Sequence, residues 1–162
     1  MGDPNAVVEQ VASAFPVTPV PSREALFKDH CDECMEVSNA YGGRPWPEIS
    51  LQEFLAGGET ALLTSTAWRY YLPTMIWWCV RDPESADVIC DNLVYQLEPP
   101  KAGETDEWFW ERKDGFTDAQ RRAIVAYLLW YRDRETAEYA ALEMERPDHV
   151  DRALAYWAAD GE

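Results

Sequence analysis

A chain of 162 residues, 47% hydrophobic and carrying eight Trp, eight Tyr and five Phe, has the length of one domain and ample apolar surface for a core. Disorder is therefore excluded for most of it, and a single domain spanning 1–162 is expected. Fourteen basic against thirty acidic residues leave a net charge of −16, which argues against nucleic acid or an anionic membrane as ligand and favours a basic protein partner.

The first element opens on Asp3-Pro4, a helix-entry signal, and Val7, Val8, Val11 and Phe15 follow at helical spacing. Pro16, Pro19 and Pro21 form a stiff connector. Ser22 is placed to cap a second helix reaching about Tyr41, with Leu26, Phe27, Cys31, Cys34, Met35 and Val37 mostly on one face. Gly42-Gly43 ends it, and Arg44-Pro45-Trp46-Pro47 makes a rigid loop. Ser50 and Glu53 fit a capping box for a short helix over about 51–55.

The stretch from about Ser65 to Arg81 is apolar nearly all round, which predicts the central helix of a bundle, kinked at Pro73. Its longest apolar run, Tyr70 to Val80, is about half of what a membrane span needs. Asp82-Pro83 then starts a helix to about Leu97 that is expected to bury Val88, Ile89, Leu93 and Val94. Residues 98–107 read as a polar, flexible connector, and Trp108-Phe109-Trp110 as a short strand or one helical turn. Thr117 and Gln120 form a second capping box, opening a helix predicted to about Glu145, and a last helix is predicted from Asp148 to Ala159. The expected fold is all-α: an irregular bundle of six or seven helices around the central apolar helix at about 65–81.

Few residues point to chemistry. Cys31 and Cys34 have the spacing of a zinc ligand pair, but no second pair accompanies them, and Cys79 and Cys90 stand singly. Four cysteines behind an acidic N-terminus without an apolar leader read as reduced, buried thiols in the cytoplasm, so neither a metal nor another cofactor is expected. Asp29, Asp32, Glu33 and Glu36 surround Cys31 and disfavour its thiolate. Glu-x-x-His pairs, nucleophile elbows and phosphate loops are missing, so no enzyme activity is implied.

Charge is concentrated in one place. Residues 82–117 hold ten acids against Lys101, Arg112 and Lys113, a net −7, whereas residues 51–81 are neutral. The candidate binding residues there are Asp87, Asp91, Glu104, Asp106, Glu107, Trp108 and Trp110, because aromatics set among carboxylates resemble a protein-binding hot spot. The alternative is that the aromatic triplet folds back as a lid on the core.

Cys31-x-Glu33-Cys34, Gly43-Arg44-x-Trp46, Ala67-Trp68-Arg69-Tyr70-Tyr71-Leu72-Pro73 and Thr117-x-x-Gln120 together resemble an uncharacterised bacterial family of small helical proteins, over roughly residues 10–131. That resemblance implies the helical fold and no activity. An acidic interaction module, such as an immunity protein or inhibitor, is the function the residues favour. A zinc-binding helical protein using Cys31 and Cys34, or an enzyme without a visible motif, is the alternative.

Overall fold

A computed structural model describes residues 2–27, 32–58 and 60–159. The described residues are 71% helical and contain no strand, as an all-α bundle requires. Eight α-helices are present among the described residues: α1 Pro4–Ala14, α2 Asp32–Tyr41, α3 Leu51–Ala56, α4 Ser65–Arg81, α5 Pro83–Leu97, α6 Glu107–Lys113, α7 Asp118–Ala141 and α8 His149–Ala158.

The helix ends follow local chemistry. Asp3 caps α1 by accepting the Asn5 N–H, at 2.9 Å. Both expected capping boxes form, Ser50 with Glu53 on α3 and Thr117 with Gln120 on α7. Three expectations need correction. Ser22 opens only the 3₁₀ turn Arg23–Ala25, and the described helix that follows is Asp32–Tyr41. Residues 107–113 form a two-turn helix, because Asp106 accepts the Phe109 N–H and starts it. The helix α7 stops at Ala141, and its C-terminal turn passes through Glu143 at φ +54. The helix α4 continues through Pro73, and non-helical backbone occurs in α5, at Asp87, with φ +29 and ψ −110.

Five helices close a ring in which α4 packs on α5, α5 on α8, α8 on α7, α7 on α1 and α1 on α4. The other flanks of α4 are covered by α3, α6 and the 3₁₀ turn Trp46–Glu48. This accounts for a helix apolar on every side: Trp68, Tyr71, Leu72, Met75, Ile76 and Cys79 are all essentially inaccessible. Burying each large apolar side chain contributes roughly 1.5–3 kcal/mol.

Polar groups fix how the loop meets α4. The Tyr71 hydroxyl lies 2.7 Å from the Tyr41 carbonyl and 2.9 Å from that of Arg44, Thr74 donates to the Trp46 carbonyl, and the Trp78 indole donates to that of Ile49. Arg44 in turn pairs with Glu53, tying the Gly43-Arg44 corner to α3. Gly43 sits at φ +73, where a side chain would be strained.

Gly57 is needed for a different reason. A Cβ there would lie 2.4 Å from Cε2 of Tyr41 and 2.9 Å from the Ala40 Cβ. Both neighbours are buried, and the ring is rigid. Gly57→Ala should therefore destabilise the protein by about 1–3 kcal/mol through overpacking. Denaturant titration checks this, and an unchanged midpoint would show that α2 and α3 separate freely.

Candidate functional site

The acidic segment 82–117 divides between two supports. Its first half is α5, whose buried stripe is Ala86, Cys90, Leu93, Val94 and Leu97. That spacing turns the opposite face outward and carries Glu84, Asp87, Val88, Asp91 and Tyr95 with it. Val88 is 61% exposed, contrary to the expectation that it is buried, because an apolar residue two positions after Ala86 lands across the helix from the core. Tyr95 is 58% exposed, and the flat of its ring stacks on His149 at 4.9 Å.

Asp91 is exposed and accepts the Tyr131 hydroxyl at 2.5 Å. Burial first, and the Asp91 carboxylate second, keep that phenol protonated well above the usual range. Glu84 and Asp87 make no ion pair with any described residue, and α5 contains no basic residue at all. Asp87 also holds the non-helical backbone, in a region that residues other than glycine rarely occupy.

The second support is the loop after α5 and the short α6. An open groove of about 650 Å³ is lined by Tyr95, Glu98, Pro99, Glu104, Thr105 and Asp106, among others. Two of its carboxylates do structural work: Glu104 accepts the Lys101 N–H at 3.1 Å, and Asp106 caps α6. Glu98 is paired with Arg152 of α8. Glu107, at the start of α6, is exposed.

The aromatic triplet splits three ways. Trp108 is half-buried, donates its indole N–H to the Ala61 carbonyl at 3.1 Å and meets Trp68 edge-on at 6.0 Å. Phe109 is buried. Trp110 is 42% exposed, beside Tyr156 and the Lys113 ammonium. The guanidinium of Arg112 lies 3.1 Å from the Trp108 ring centroid and donates to the carbonyls of Ala61 and Leu63. Burial of this cation, with only carbonyl acceptors at its tip, pushes its pKa down to about 9. Trp108 is thus part of a lid held by Arg112, and Trp110 is the member that faces outward.

Sequence reasoning missed Val88 and Tyr95. The signal was available in their phase, since 88 and 95 fall off the stripe traced by 86, 90, 93 and 97.

The cysteines depart from the expected reduced state. Cys34 is disulfide-bonded, whereas Cys79 and Cys90 are free and buried. Cys31 lies outside the described residues. A disulfide sulfur has no thiolate to offer zinc. No group of three or more His, Cys, Asp or Glu that could hold a metal occurs among the described residues. No described helix is long and apolar enough to cross a membrane.

The chain belongs to the family of unknown function DUF6714, whose model matches residues 6–161. The match takes in the segment after Arg134, which the motif resemblance left out. No curated protein and no solved structure matches the chain. The motif residues themselves are engaged in architecture. Tyr70 donates to the Val17 carbonyl and accepts from the Trp46 N–H, the Trp68 indole donates to Gln96, and Arg69 donates to the Glu111 carbonyl.

Proposed function

We propose that this member of the family is an acidic protein-interaction module that covers a basic surface on a partner, as an immunity protein or inhibitor covers a toxin or a nucleic-acid enzyme. One observation carries the reading: six of the ten acids in residues 82–117, Glu84, Asp87, Asp91, Glu104, Asp106 and Glu107, are exposed, with Trp110 exposed beside them. Exposed carboxylates of one sign raise the rate of encounter with a cationic protein, and an exposed aromatic supplies contact area once the two have met. Trp108 supports this surface from behind rather than forming it.

The test is kinetic. A partner is isolated from the source cells on the immobilised protein and eluted with salt, and its association is followed by stopped-flow fluorescence. The partner should be basic, and its association rate should fall at least ten-fold between low salt and about 0.5 M, because screening shortens the reach of exposed charge. Replacing Glu84, Asp87 and Glu107 by Lys should slow association far more than it speeds dissociation. Asp106 is left intact in that variant because it caps α6. An acidic partner, or a rate indifferent to salt and to the three replacements, would overturn the proposal.

A further inference from the structure

Resting on that reading, we infer that the outer face of α5 is the docking surface proper, and that its occupant is a cationic amphipathic helix of the partner protein. Val88 and Tyr95 are seven residues apart, two helical turns, so their side chains stand about 10 Å apart along one line. This is the spacing at which the apolar residues of a second helix recur at i and i+7, and helices dock through such anchors. Both side chains are more than half exposed, at 61% and 58%. Met35, Leu142 and Met144 are as open, but none of them has an exposed apolar partner seven residues along the same described helix.

The charge on the anchors' own helix has one sign. Glu84, Asp87 and Asp91 flank them on the same helix, which has no Lys or Arg to answer them. A helix presenting apolar residues at i and i+7 with Lys or Arg between them matches this face in both respects, while a purely apolar helix would strand the carboxylates. The face is also continuous with the groove beyond the helix, because Tyr95 lines that groove together with Glu104 and Asp106, which outnumber its one base, Lys101, while Glu98 there is paired with Arg152. A longer basic segment can therefore follow α5 onto the loop. Beneath the surface the anchor is seated firmly, since Tyr95 stacks on a buried His149.

The α6 corner is the competing location, and two features count against it as the anchor. Trp108 is committed to the Ala61 carbonyl, Trp68 and Arg112, and Trp110 has the Lys113 ammonium 4.9 Å from its ring. A cation already occupies each of those indoles, which repels rather than recruits a second one.

The experiment uses the full chain and two fluorescein-labelled synthetic peptides of one Lys/Leu composition. One is a helix with Leu at i, i+7 and i+14; the other has the same residues with the Leu positions scrambled. Anisotropy should show the striped peptide binding at least ten-fold more tightly than the scrambled one. The double replacement Val88→Asn with Tyr95→Asn should abolish that preference, whereas Leu129→Asn, at an exposed apolar residue of α7 away from this surface, should change the affinity less than two-fold. Circular dichroism confirms that each variant keeps its helices. If the striped peptide binds the double variant as it binds the parent, and Trp110→Asn loses it, the docking face is at α6 and the present inference fails while the interaction reading stands. If neither peptide binds the parent protein at low salt, the acidic surface does not recruit cationic helices and both fail.

Discussion

Replacing Glu135 by Ala should destabilise the protein by about 3–5 kcal/mol, the range found when one member of a buried charged pair is removed. The Glu135 side chain is 7% exposed and lies between α7 and α8. One of its oxygens accepts from Arg146 at 3.1 Å, and the other is 3.3 Å from Nε2 of the equally buried His149. Arg146 continues the chain of charges to Asp151 on α8. Taking the carboxylate away leaves a buried imidazole and a largely buried guanidinium without the group that compensates them. Because α8 also closes the helix ring onto α5, the loss should be felt by the whole fold rather than by one end of it. For a chain of this length each kcal/mol lowers the melting temperature by about 2–4 °C, so a fall on the order of 10 °C is expected. Glu138→Ala is the control. It removes the i,i+4 pair with Arg134 on the exposed side of the same helix, and should cost less than about 0.5 kcal/mol. Thermal denaturation of the two variants with indistinguishable midpoints would show that the α7–α8 seam is held by its apolar contacts alone.

The contrast between these two glutamates also marks what the sequence can say about this protein. Helix starts were legible because a cap is a local event: Asp3, Ser50 and Thr117 act on N–H groups two or three residues away. The central helix was legible because Ser65–Arg81 is apolar on every side, whatever neighbours it. Positions whose fate depends on a distant partner were not. Val88 and Met35 are as apolar as the core residues of their helices, yet they are 61% and 58% exposed because they fall off the faces that the described helices cover. Glu135 reads as one more solvated acid in a charge-laced helix, and only the approach of α8 makes it buried. Trp108 and Trp110 are two residues apart, and α6 being a helix rather than a strand sends one against Arg112 and the other outward. The candidate site was therefore half legible. Its charge could be counted, whereas its apolar anchors and the division between α5 and α6 depend on the fold.

Alkaline unfolding should begin sharply above pH 10, and the buried tyrosines are its cause. Tyr41, Tyr71, Tyr127 and Tyr131 all belong to the core. Burial is the first cause of a raised pKa in each, and neighbouring groups that would bear negative charge add to it: Cys79 beside Tyr41, Tyr70 beside Tyr71, Cys79 and Cys90 beside Tyr127, and Asp91 beside Tyr131. For Tyr71 the phenol is pushed up to about 12, from 10.0 for an unhindered tyrosine. The sign follows from linkage. An acid whose pKa is higher in the folded chain favours folding fully below the unfolded value, and that contribution drains away as pH climbs from the unfolded to the folded value. Tyr71 alone then removes roughly 3 kcal/mol between pH 10 and 12, and the other three act in the same direction over a range extending higher. Since total stability for a single domain is about 5–15 kcal/mol, the sum is enough to unfold the chain. Part of the rise in tyrosinate absorbance at 295 nm should therefore be cooperative and coincide with loss of the helical circular dichroism signal at pH 11–12. Tyr71→Phe removes one such group along with the one proton its hydroxyl shares between the Tyr41 and Arg44 carbonyls. It should lower stability at pH 7, by about 1–2 kcal/mol, and shrink the loss between pH 10 and 12. A single smooth titration of all eight tyrosines near pH 10, with helix retained to pH 12, would mean that these rings reach water without unfolding, and the packing assigned to α4 and α7 would have to be wrong.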